Sequence, residues 1–187
     1  MNHKQRILVI DDDRLIHQLV SVRIRDLNAS ISFAADGASG IEMAHEVHPH
    51  LILLDVGLPD MTGFRVCERL RDDPLTREIP IIFLTGTDQA EEKVRAFEMG
   101  AVDYVTKPFN PAELRARVRA ALRMQALVEA LETQALSDNL TGLPNREAFR
   151  RSLARCLEYS RQRAGTSALP AGGERGTRPW EAGEQRY

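Results

Sequence analysis

Between residues 1 and 108 two kinds of segment alternate. Short apolar runs occur at Ile7–Ile10, Ile31–Ala35, Leu51–Leu54, Ile81–Leu84 and Val102–Val105. Longer stretches with helical spacing lie between them. One carries Leu15, Ile16, Leu19, Val20, Ile24 and Leu27, and another Ile41, Met43, Ala44 and Val47. A third carries Val94, Phe97 and Met99 and ends at Gly100, a natural helix stop. Runs such as Leu51-Ile52-Leu53-Leu54 are apolar without alternation, as expected of a strand buried on both faces in a parallel sheet covered by helices. Five strand–helix repeats predict a doubly wound α/β domain. In such sheets ligands bind at the carboxyl ends of the strands, near the topological switch point.

The pattern changes after residue 110. Residues 111–136 predict one long helix that opens on Pro111, a favoured first helical residue. Leu114, Val118, Ala121, Met124, Val128, Leu131 and Ala135 recur at spacings of three and four, a short coiled-coil-like seam partly built of alanine. A second helix is expected from Arg146 to Arg163, after a Gly142–Pro144 break. From Ala164 onward there is no apolar run and much Gly and Pro, so residues 164–187 are expected to be disordered. The predicted organisation is a domain over 1–122, a stalk helix over 111–136 continuous with its last helix, a fragment over 137–163, and the tail.

Composition narrows this only slightly. A formal net charge of -2 and 28% charged residues favour no particular partner. Cys67 and Cys156 form no close pair and no CxxC, which fits a reducing cytoplasm and inert thiols. The apolar run Ile7–Ile10 is too short for a signal-peptide core or a membrane span, so a cytoplasmic protein is expected. The nine Arg and five Glu of residues 146–187 read as a solvated surface. Nucleic-acid binding is not expected, because no aromatic interleaving or reading helix accompanies them.

The chemistry sits at the predicted strand ends. Asp11, Asp12 and Asp13 follow the first strand, and Asp55 ends the third. Thr85 and Gly86 follow the fourth, and Thr106, Lys107 and Pro108 the fifth. All should face one rim. Carboxylates converging there repel unless a cation lies between them, and hard oxygen ligands select Mg²⁺. A hydroxyl and an ammonium facing the same point are donors for phosphoryl oxygens, and an Asp carboxylate is a competent nucleophile for an acyl phosphate. Asp11–Asp13 also fits a plain helix cap, a reading that weakens once Asp55, Thr85 and Lys107 are counted with it. His45, His48 and His50 lack HExxH spacing and read as a solvated helix end.

Four segments, ILVIDDD, LILLDVGLPDMTG, IIFLTG and GAVDYVTKPF, resemble in order the receiver domain of two-component response regulators, over residues 5 to 122. The resemblance implies a flavodoxin-like fold with Asp55 as phosphoacceptor. Asp12 would ligate Mg²⁺ directly, Asp11 through water, and Gly57 through its backbone carbonyl, with Asp13 just outside at the helix cap. Thr85 would be the switch hydroxyl, Tyr104 the aromatic rotamer switch, and Lys107 the partner of the phosphoryl oxygens, with the Lys107–Pro108 bond cis. The implied partner is a sensor histidine kinase. A homodimer through the 111–136 helix and the face of the fourth and fifth helices is the implied output geometry.

A second motif, SDNLTGLPNREAF, resembles the opening of diguanylate cyclase (GGDEF) domains, carried by Asp138, Leu140, Thr141, Gly142, Leu143, Asn145 and Arg146. The expected catalytic strand and its aspartates do not follow. Gly172-Gly173-Glu174 is continued by Arg175 and Gly176, without the second acid and the Phe. The receiver, stalk and motif in that order imply a phosphorylation-regulated diguanylate cyclase making cyclic di-GMP as an alternative function, with its catalytic domains brought together through the stalk. The catalytic domain reads as truncated, with an altered or frameshifted tail, so cyclase activity is not expected of this chain. A Mg²⁺-dependent phosphatase of the haloacid-dehalogenase type is the other enzymatic reading. It would use Asp11 and Asp13, but Leu15 stands where Thr or Val belongs and Asp55 is left without a role.

Overall fold

The structure, a computed structural model, describes residues 4–24 and 27–136. The expected fragment 137–163, the tail 164–187, Cys156 and the Asp138–Arg146 motif lie outside the described residues. The described residues belong to a compact unit spanning Met1–Ser137.

Five strands alternate with five helices: β1 (Gln5–Ile10), α1 (Arg14–Arg23), β2 (Ala29–Ala34), α2 (Gly37–Val47), β3 (Leu51–Asp55), α3 (Gly63–Asp72), β4 (Ile81–Thr85), α4 (Ala90–Glu98), β5 (Asp103–Thr106) and α5 (Pro111–Leu136). The strands form one parallel sheet in the order β2-β1-β3-β4-β5. The chain steps one way from β1 to β2 and the other way from β3 onward. The switch point therefore lies between β1 and β3, where the connections leaving the two strands diverge.

Every residue of β3 and β4 is buried, and successive side chains serve opposite faces. Ile52, Leu54, Ile81 and Phe83 join Leu8 and Ile10 in a core covered by α2, α3 and α4. Leu51, Leu53, Ile82 and Leu84 join Ile7 and Val9 under α1 and α5, against Val20, Ile24, Leu114, Val118 and Leu122. Truncating one such side chain to Ala costs about 2–5 kcal/mol.

The helix starts follow capping chemistry. Asp13 accepts the N–H of Leu15 before α1, Asp36 that of Ser39 before α2, and Thr62 that of Arg65 before α3. Asn110 accepts the N–H of Ala112 at 2.8 Å as α5 begins. Gly100, at φ 79°, turns the chain from α4 toward β5 in the left-handed region that favours glycine.

Some expectations need adjusting. α3 is the helix that the strand–helix repeat requires between β3 and β4, but its apolar positions Phe64, Val66, Cys67 and Leu70 are interleaved with charged residues and do not stand out in the sequence. β2 begins and ends earlier than Ile31–Ala35, and β5 covers Asp103–Thr106 rather than Val102–Val105. Val102 lies outside β5 and is half exposed. The histidines are not merely a solvated helix end. His45 Nε2 pairs with Asp73 at 2.6 Å, and His50 Nδ1 accepts the N–H of Arg6 at 2.9 Å.

Candidate functional site

Three chain segments meet at the carboxyl rim. β1 delivers Asp11 and Asp12 and β3 ends in Asp55, so these acids flank the switch point. One carboxylate oxygen from each of the three lies within 4.8 Å of the others. Asp11 is fully buried, Asp55 is 7% exposed and Asp12 faces solvent. Asp13 stays outside the group as the cap of α1.

The next two strands bring the donors. β4 ends in Thr85, buried beside β3 and in register with Thr106 of β5. Lys107 follows β5 and reaches back across the sheet edge, with its peptide bond to Pro108 in the cis form expected from the sequence. Its Nζ lies 2.7 Å from Asp11 Oδ2 and 2.9 Å from Asp55 Oδ1. Gly57 lies beside the same carboxylate: a Cβ built on it would stand 3.7 Å from Asp55 Oδ2. Tyr104 is turned inward and donates its hydroxyl to the carbonyl of Thr87 at 2.8 Å.

The electrostatics fit a divalent cation. Asp11, Asp12 and Asp55 carry a formal charge of -3 when ionised and Lys107 supplies +1, which leaves -2. At this spacing each carboxylate pair repels by roughly 3–4 kcal/mol at an effective dielectric constant near 20. Burial pushes the Asp11 carboxyl up, against hydrogen bonds from Lys107 and from the Asp13 N–H. Burial also pulls the Lys107 ammonium down, but its hydrogen bonds to Asp11 and Asp55 outweigh that and leave it raised. The ammonium therefore stays charged at neutral pH. The donor set is hard oxygen throughout, as Mg²⁺ requires.

Two supporting contacts were not legible in the sequence. Asp60, in the loop after β3, accepts the N–H groups of Gly37 and Ala38 at 2.8 and 2.9 Å and ties that loop to the start of α2. Its carboxyl is held low, first by the Gly37 N–H. Glu92, in the first turn of α4, meets the hydroxyls of Thr85 and Thr87. An acid three residues into a predicted helix was the available signal for Glu92, but helix periodicity does not say what it contacts.

Fold and site together define a flavodoxin-like α/β domain with a cation-competent acidic cluster and a lysine at its switch point. Residues 7–119 match the response regulator receiver domain, and the chain belongs to that family. It is 47% identical over 118 residues to the DNA-binding dual master transcriptional regulator RpaA of Synechocystis, covering 63% of this chain and 49% of that protein. It is 37% identical over 138 residues to the response regulator PleD of Caulobacter vibrioides, covering 74% of this chain and 30% of that protein. The chain thus spans about half or less of the length of these curated relatives. Among solved structures, a response regulator from Chloroflexus aurantiacus aligns with TM-score 0.61 and 33% identity over 65% of this chain and 99% of that one. The BeF3-activated receiver domain of DrrB, a Thermotoga maritima protein, aligns with TM-score 0.58 and 35% identity over 65% and 99%. Among the described residues, no helix is long and apolar enough to cross a membrane.

Proposed function

We propose that this chain is the phosphoryl-accepting switch of a two-component phosphorelay, with Asp55 as the acceptor and a sensor histidine kinase as the donor. The observation that carries this reading is the convergence of Asp11, Asp12, Asp55 and Lys107 at the switch point of a receiver fold. Asp11, Asp12, Asp55 and the carbonyl of Gly57 would hold Mg²⁺, which supplies charge neutralisation for the incoming phosphoryl oxygens. Asp55 attacks phosphorus as a carboxylate. The new O–P bond forms as the P–N bond to the kinase histidine breaks, and the leaving imidazole keeps the bond's electron pair. Lys107 lies against Asp55 and is placed to pair with a phosphoryl oxygen. Thr85 then turns its hydroxyl to the new anion, and Tyr104 stands next to the space this changes, on the side of α4 and β5. A small bias between two conformers is enough to act as a signal.

In this reading the Asp138–Arg146 motif after the stalk helix marks the opening of a diguanylate cyclase domain. Dimerisation through α5 is the output geometry proposed with it. A DNA-binding output is the second reading. It is favoured by the 47% identity to RpaA, although that identity covers the half of RpaA that this chain spans. Both readings share the Asp55 chemistry.

Labelling with a radioactive small phosphodonor in Mg²⁺ tests the central reading. Wild type is expected to form a hydroxylamine-labile phosphoprotein and Asp55→Asn to form none. Retained labelling in Asp55→Asn, with loss in Asp11→Asn, would instead favour the phosphatase reading.

A further inference from the structure

Thr85 is 1% exposed, and its hydroxyl is already engaged in the unmodified protein. Its Oγ1 accepts the N–H of Thr87 at 3.2 Å and donates to Glu92 Oε2 at 3.4 Å. The same Glu92 oxygen accepts the Thr87 hydroxyl at 3.0 Å. The Thr87 carbonyl takes the Tyr104 hydroxyl, and Thr87 Oγ1 accepts the N–H of Gln89 at 3.4 Å. Thr87 is thus a junction between Thr85, Tyr104 and the start of α4.

Glu92 occupies an unusual place in that junction. It is the third residue of α4, where a glutamate ordinarily reaches back to the backbone N–H of the N-cap residue. Here the N-cap residue is Gln89, whose side chain makes no capping bond and whose N–H goes to Thr87. The carboxylate turns inward to the two threonine hydroxyls instead. A hydroxyl has one proton to donate, so Thr85 cannot serve Glu92 and a phosphoryl oxygen at once.

We infer that Glu92 is a positioning residue for the Thr85 switch: an internal anion that holds the hydroxyl which a phosphorylated Asp55 must capture, and that links its release to the first turn of α4. This rests on the reading of Asp55 as phosphoacceptor. The restraint opposes activation, because capture of Thr85 exchanges one anionic acceptor for another. At 3.4 Å the Thr85 bond is long, so the restraint is modest.

The test is a double-mutant cycle on the full chain, with beryllofluoride affinity in Mg²⁺ measured calorimetrically for wild type, Glu92→Ala, Thr85→Ala and the double variant. Glu92→Ala is expected to bind ~3–10-fold more tightly than wild type. In the Thr85→Ala background the same change should alter affinity less than about twofold. Glu92→Gln, which keeps the shape and loses the charge, should fall between wild type and Glu92→Ala and serves if the alanine variant does not fold. Unchanged or weaker binding in Glu92→Ala and Glu92→Gln, or equal tightening without Thr85, overturns the inference. Asp55→Asn separates the two levels. If wild type binds and Asp55→Asn does not while the cycle is flat, only the role of Glu92 fails. If wild type binds no better than Asp55→Asn, the Asp55 reading fails and this inference with it.

Discussion

Lys107 Nζ lies 2.9 Å from Asp55 Oδ1, joining residues 52 positions apart. The contact places Lys107 in two competing roles. Its charge is needed against an incoming phosphoryl group, yet it shares with a metal the carboxylates of Asp11 and Asp55. Lys107→Met is therefore expected to bind Mg²⁺ more tightly than wild type while labelling from a small phosphodonor slows by ~100-fold. Calorimetry and timed labelling read the two effects separately. Parallel loss of both would mean that the lysine supports the site only structurally.

Asp11 should trade stability for metal binding. Its folded carboxyl is raised above the ordinary 3.8, chiefly by burial. Between 3.8 and the folded value, the folded chain holds more protons than the unfolded chain. Stability from this group therefore falls as pH rises through that window, and its ionisation opposes folding at neutral pH. Asp11→Asn is expected to be more stable than wild type at pH ~7 without metal, by roughly 1–2 kcal/mol. The advantage should shrink as pH is lowered toward 3.8. Added Mg²⁺ should raise the melting temperature of wild type and leave the variant unmoved. A wild type more stable than Asp11→Asn at neutral pH would contradict this account.

Asp60 has the opposite sign. The Gly37 and Ala38 N–H groups favour its ionised form and hold its carboxyl below 3.8. Its contribution to stability is therefore present above 3.8 and is lost as pH falls through the lower folded value. Carbon NMR of the Asp60 carboxyl should show a midpoint below 3.8. A midpoint at or above that value would mean that the clasp between the β3 loop and α2 does not form in solution.

Two glycines near the site should answer differently to the same change. A Cβ on Gly63 would stand 2.1 Å from the backbone oxygen of Asp55, whereas one on Gly86 meets nothing within 4 Å. Gly63→Ala must displace backbone at the end of β3, and is expected to lose about 1–3 kcal/mol of stability and most labelling of Asp55. Gly86→Ala is expected to stay within about 0.5 kcal/mol of wild type in denaturant unfolding. Equal behaviour of the two would remove the steric explanation.

The parts that could be read from the sequence share a physical cause. β3 and β4 are buried on both faces, so their sequences are unbroken apolar runs whose ends mark the rim. Asp55 and Thr85 were visible because each closes such a run, whereas Lys107 follows β5, where only Tyr104 and Val105 are buried. β2 lies at the sheet edge, and Ser30 and Ser32 alternate with its apolar residues, which blurred its start. α3 buries Phe64, Val66, Cys67 and Leu70 among Arg65, Glu68, Arg69 and Arg71, so its apolar face is visible only once the helix is drawn. Asp60 and Glu92 escaped because their partners are backbone N–H groups and hydroxyls brought near by the fold. Only chain topology says which loop an exposed-looking acid will reach.

α5 has a mechanical consequence. Its inner turns are fixed in the core by Leu114, Val118 and Leu122, yet the same helix continues without interruption to Leu136. At 1.5 Å per residue, the part beyond Leu122 extends ~21 Å. Met124, Leu127, Val128 and Leu131 on it are exposed. An unbroken helix is stiff, so it acts on the core as a pointer acts on a dial. A tilt of about 10° at the anchored turns, small enough for side chains to absorb, sweeps the far end through roughly 4 Å. The fold thereby gains leverage: a rearrangement too slight to disturb the sheet becomes a displacement that another surface can feel.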